Sequence, residues 1–174
     1  VANVPGPYSF ANQDGRVGHA TLAYYFPSIA VNANECVALG FSGSDASTYA
    51  SAYYTARTPL DPLGAMQPVN TLRAGTASYW KQFGGTRNRW GDYSATVVDP
   101  LDDLTFWTTQ EYATTPFSGG PICSQDGGRW GLWWGAFECI VGKTDKFSQP
   151  PDNTGHIISD SIDGTDMSPN VVLA

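Results

Sequence analysis

The sequence predicts an all-β fold built from an internal repeat, and three observations carry that prediction. Strand-like blocks recur in the same order along the chain. The 174 residues hold 6 Trp, 9 Tyr and 8 Phe together with 19 Gly and 12 Pro. No segment of helical length places apolar residues three and four apart. Aromatic and β-branched residues suit pleated faces, while Gly and Pro make corners. The length fits one domain with one sizeable core.

The elements follow in chain order. Residues 1–18, with Pro5 and Pro7, read as an extended N-terminal segment, and residues 19–140 as the repeat domain. His19–Tyr25 reads as a strand running into the first repeat. That repeat is Phe26–Asn32, a turn at Ala33-Asn34-Glu35, the apolar run Cys36–Phe41, and the aromatic strand Ser51–Arg57. A Pro-punctuated connection follows over 58–72, and Ala74–Trp80 reads as a strand leading across a Gly84-Gly85 turn. The second repeat is Trp90–Asp99, a turn at Pro100–Asp103, the strand Leu104–Thr109, and Gly131–Phe137, which matches Ser51–Arg57. Trp90, Trp107 and Trp133 are expected buried in strands. From residue 141 the aromatic pattern ends. Residues 141–174 read as a polar, Asp- and Pro-rich tail with too little apolar surface to repay ordering.

Each repeat supplies the three or four short strands of a β-propeller blade. Two marked blades are fewer than a closed ring needs, so the prediction is a partial propeller or one completed by oligomerisation, with divergent strands at the chain ends or a longer parent chain as the other ways to fill the ring. A β-sandwich is the competing arrangement.

Composition excludes several function classes. A net charge of −7, with six Arg scattered singly, lacks the clustered cations that nucleic acid requires. No run approaches the roughly 18 apolar residues of a membrane span. The chain starts Val1-Ala2-Asn3, which reads as a processed product. Of three Cys, Cys123 and Cys139 flank the last aromatic strand and are the candidate pair, leaving Cys36 as a small buried hydrophobe. No Cys/His spacing suggests zinc.

The stretch Tyr24–Phe137 resembles secreted bacterial proteins with sialidase-like β-propeller folds. The resemblance is carried by Tyr25–Asn32, by Arg87-Asn88-Arg89-Trp90-Gly91-Asp92-Tyr93-Ser94-Ala95, by Phe106–Tyr112, and by Arg129–Gly135. Ser124-Gln125-Asp126-Gly127-Gly128-Arg129-Trp130 looks like a shortened Asp-box, the turn of sialidase blades, which gives Asp126 a structural role. The resemblance implies an extracellular or periplasmic protein. It also implies a carboxylate-binding Arg cluster, a Tyr activated by a Glu, and an acidic Asp. Arg57, Arg87, Arg89, Arg129, Glu111, Tyr112 and Asp92 are the available residues. Glu111 and Tyr112 are strand neighbours and point to opposite faces, so they do not form the Tyr–Glu pair of one site.

Asp92, Glu111 and Arg89 are therefore the candidate catalytic residues, with Arg57, Arg87, Tyr112 and Trp90 as candidate substrate contacts. The competing reading of Arg89–Asp92 is an ion pair anchoring a corner. Asp99, Asp102 and Asp103 crowd one turn and are the candidate Ca²⁺ ligands, hard oxygens suiting that ion, with a solvated acidic turn as the alternative. Tyr53-Tyr54 and Trp133-Trp134 each place one ring on either face of a strand, for packing or as a sugar platform. Two functions result. One is a Ca²⁺-assisted hydrolase, glycosidase-like or lactonase-like, acting on a glycan or a small ester. The other is a non-catalytic extracellular module that binds glycans or partner chains.

Overall fold

The computed structural model describes residues 14–82, 84–115 and 127–139, and the backbone of strands 154–158 and 170–172. The architecture is all-β, as the sequence predicts. Strands β1 (Ala23–Val31), β2 (Val37–Ser44), β3 (Ser51–Arg57) and β4 (Asn70–Arg73) form one antiparallel meander. Strands β5 (Ala95–Val98), β6 (Thr105–Thr114), β7 (Arg129–Glu138), β8 (Thr154–Ile158) and β9 (Asn170–Val172) form a second. The two sheets pack face to face, β1 against β5, β2 and β3 against β6, and β4 against β7. Among the described residues both sheets are open, and the two together form no closed ring.

Each half of the internal repeat has become one sheet. In the first hairpin Val31 pairs with Val37, which pairs with Arg57. In the second, Val98 pairs with Phe106, which pairs with Phe137. Matching these rungs aligns Tyr53-Tyr54 with Trp133-Trp134, the correspondence visible in the sequence. The hairpin turns share their chemistry. Glu35 and Asp103 both adopt a left-handed backbone, with φ of 61° and 52°. Asn32 and Asp99 open the two turns, each accepting backbone amides from the residues that follow. The turns also clasp each other, Asn32 Nδ2 donating to the Asp103 carbonyl at 2.9 Å and the Ala33 amide to Asp103 Oδ2 at 3.0 Å.

The stacking is head to tail. The second sheet turns Thr96, Val98, Phe106 and Thr108 toward the first, with Ser28 bonded to Thr96 at 2.7 Å across the gap. Their repeat equivalents in the first sheet are Ile29, Val31, Val37 and Leu39, which face outward. Ile29 is 63% and Val31 57% exposed. Conversely, Ala30, Ala38 and Tyr54 on the inner face of the first sheet correspond to Val97, Trp107 and Trp134 on the outer face of the second.

Between the sheets lie Tyr54, Leu72, Phe106, Tyr112 and Phe137, with Tyr54 stacked on Phe137 at 4.9 Å. Beside this apolar zone sits a buried polar one. Gln110, fully buried, donates to Ser28 at 2.9 Å and to Thr108 at 3.0 Å and accepts from Ser94 at 3.0 Å, so its amide is satisfied from both sheets and the loop before β5. Gly40 makes room for it, since a Cβ there would collide with Thr108 and Gln110.

Several expectations need correction. Cys139 bonds Cys36, not Cys123, joining the start of β2 to the end of β7 with Cα atoms 6.3 Å apart. Cys123 lies outside the described residues, as do residues 1–13 and Ser124–Asp126 of the stretch read as Asp-box-like. The strand expected at Ala74–Trp80 lies earlier, at β4, where Asn70, Thr71 and Arg73 pair with β3. Trp90 is not in a strand. β5 begins only at Ala95, because the Gly91 and Tyr93 amides bond the Glu111 side chain, not a neighbouring strand. Trp107 and Trp133 do lie in strands but are only half-buried. Within 141–174, residues 154–158 and 170–172 extend the second sheet beyond β7.

Candidate functional site

The candidate catalytic residues meet at one corner, where the loop before β5 crosses the end of β6. Glu111 is 2% exposed. Its Oε2 accepts the Gly91 amide at 2.7 Å and its Oε1 the Tyr93 amide at 3.1 Å. Burial pushes the Glu111 carboxyl above its ordinary range, against the opposing pull of those two amides, and neighbouring Asp92 adds to the rise. Gly91, with φ +91°, packs against the Phe26 ring so closely that a Cβ would overlap it. Asp92 itself turns to solvent and pairs with Arg89 Nη2 at 3.1 Å, both side chains more than half exposed. The corner thus holds one buried carboxylate committed to backbone amides and one exposed ion pair.

The remaining candidates are dispersed. Arg57 is buried at the end of β3, donates to the Asp61 carbonyl at 2.9 Å, and lines an apolar trough of about 530 Å³ on the outer face of the first sheet. Arg87 is exposed. Tyr112 lies in the inter-sheet core, where Arg73 stands 5.5 Å from its ring centroid. Trp90 donates from Nε1 to Ser42 at 3.1 Å and meets Tyr79 edge to face at 4.7 Å.

The three turn aspartates are occupied by the turn itself. Asp99 accepts the Leu101 amide and the Trp107 indole N–H. Asp102 accepts the Leu104 and Thr105 amides and the Thr105 hydroxyl, which hold its carboxyl below the usual range. Asp103 accepts the Ala33 amide of the neighbouring turn. Among the described residues, no three His, Cys, Asp or Glu side chains gather as a metal-ligand cluster.

A second concavity is better furnished. A cleft of about 600 Å³ opens between the β2–β3 turn and the β4–β5 connection. Tyr25, Tyr49, Tyr79 and Trp90 supply its aromatic surface, and Asp45 and Asn88 its principal polar groups. The walls are fixed from within. Asp45 Oδ1 accepts the Ser47 amide at 2.8 Å, the Thr48 amide at 2.7 Å and the Ser47 hydroxyl at 2.9 Å, which keeps the carboxyl ionised below its ordinary range. Tyr25 donates its hydroxyl to Ser44 at 2.9 Å. Asn88 accepts the Lys81 amide at 2.7 Å, tying the far wall down. At the rim, Tyr49 is 50% exposed.

Aromatic faces beside hydroxyl, amide and carboxylate groups suit a polyhydroxylated ligand, whose C–H faces stack while its hydroxyls exchange hydrogen bonds. Of these residues the sequence reading singled out only Trp90. The others come from three separate segments with no shared motif, so only the fold assembles them. Comparison of the chain with family models, curated proteins and solved structures finds no match in any of the three.

Proposed function

We propose that this protein is a non-catalytic, extracellular-type glycan-binding module, and that the saccharide occupies the cleft between the β2–β3 turn and the β4–β5 connection. The observation that carries the reading is the convergence of Tyr25, Tyr49, Tyr79 and Trp90 on a polar-lined cleft of about 600 Å³. Its volume falls in the range of small-molecule sites. The Cys36–Cys139 disulfide supports an oxidising compartment. Neither Ca²⁺ nor a hydrolytic step enters this reading. The test is a screen of immobilised neutral and acidic glycans, followed by titration of each hit in solution. Binding to no saccharide class would end it.

The hydrolase reading has one observation in its favour, the meeting of Arg89, Asp92 and Glu111 at one corner. It is the weaker reading because Glu111 spends both oxygens on backbone amides and Arg89–Asp92 is an exposed surface pair. An activity screen with Asp92→Asn as control separates the two. Turnover that this substitution removes would restore the catalytic assignment.

At the level of fold, we read the two meanders as two adjacent blades of a sialidase-like propeller. Meander order within each sheet and head-to-tail stacking between them both support this.

A further inference from the structure

The repeat makes a prediction about the two outer faces. Within the chain, a face of the type Thr96, Val98, Phe106 and Thr108 is buried against a face of the type Ala30, Ala38 and Tyr54. The outer face of the first sheet repeats the former type, with Ile29, Val31, Val37 and Leu39 along a trough of about 530 Å³. The outer face of the second sheet repeats the latter type, but with Val97, Trp107 and Trp134 where the inner face carries Ala and Tyr. Trp107 and Trp134 pack with ring centroids 5.5 Å apart, and Val97 is 53% exposed. One face is hollow, the other raised. Each is the counterpart of a surface already buried between the sheets.

We propose that a second copy of this chain docks head to tail, setting the Val97–Trp107–Trp134 face of one copy into the Ile29–Val31–Leu39 trough of the next. The contact continues the inter-sheet packing already present in each chain. It covers Ile29, Val31 and Val97, which are exposed, together with the half-buried Leu39, Trp107 and Trp134. It is heterologous, so each dimer keeps one free face at either end and growth continues, to a ring where the rotation closes and to an open filament where it does not. The proposal deepens the blade reading and is independent of the glycan cleft, which neither Val31 nor Val97 lines.

Sedimentation velocity across a concentration series tests it, using wild type, a trough variant (Ile29→Glu with Val31→Glu) and a ridge variant (Ala95→Glu with Val97→Glu). All four positions are exposed, and near-UV circular dichroism checks that packing is kept. Wild type should grow beyond a dimer as concentration rises. Each variant alone should remain monomeric, yet an equimolar mixture should give a one-to-one dimer and nothing larger, since each retains the face the other lacks. A wild type that stays monomeric throughout overturns the proposal by itself. So does a ridge variant that still dimerises alone, which would mean trough-to-trough pairing. A monomer with native near-UV signal would leave the pairing of the two sheets within one chain standing.

Discussion

Removing the Cys36–Cys139 bridge perturbs the fold most informatively. Both sulfurs are fully buried, and the bond spans a sequence separation of 103 between opposite sheets. In the chain-entropy view a loop of that length restricts the unfolded state by roughly 4.7 kcal/mol, toward the top of the usual range of about 2–5 kcal/mol. For a chain of this size each kcal/mol moves the melting temperature by about 2–4 °C, so loss of the bridge should lower it by roughly 10–20 °C. The assay is thermal and guanidinium unfolding of wild type, with and without reductant, beside Cys36→Ala with Cys139→Ala. The double variant should match reduced wild type to within about 1 kcal/mol, because Ala fills most of the space of a buried Cys. A reduced protein melting within a few degrees of the oxidised one would show that the bridge does not restrict the unfolded chain to this extent. Labelling of Cys36 or Cys139 in the unfolded, unreduced protein would refute the pairing itself.

Glu111 should give stability a pH dependence of defined sign. Its folded-state pKa is raised, so its contribution is fully present below about pH 4.3 and is lost as pH rises through the folded value. The unfolding free energy of wild type minus that of Glu111→Gln should therefore fall as pH increases above about 4.3. A rising difference would mean that the Gly91 and Tyr93 amides outweigh burial. Asp92→Asn breaks only an exposed pair and should change unfolding free energy by less than about 1 kcal/mol, leaving saccharide affinity unaltered. A larger loss would show that the pair anchors the corner.

The sheets were readable in the sequence because alternation, turn residues and aromatic strands repeat in order. Asn32–Glu35 and Asp99–Asp103 announce turns by chemistry that acts locally. Tyr53-Tyr54 and Trp133-Trp134 announce strands with one ring on each face. The errors arose where non-local partners override local preference. Trp90–Ser94 has the composition of a strand, yet the Glu111 carboxylate takes the amides that a strand would use. Cys36 finds Cys139 rather than staying a simple hydrophobe, because face-to-face packing brings distant hairpin ends together. The cleft was least legible. Tyr25, Tyr49, Tyr79 and Asn88 have no common spacing, and only the juxtaposition of two connections unites them.

Calorimetric titration of the best saccharide from a glycan screen into wild type and Tyr49→Ala tests the functional account most directly. Tyr49 is half exposed at the cleft rim, so its removal should leave folding unchanged while costing stacking surface. The account predicts one site per chain and an affinity about tenfold weaker in Tyr49→Ala, equivalent to ~1.4 kcal/mol. Equal affinity in the two proteins, or a saccharide that binds without engaging the cleft, would contradict it.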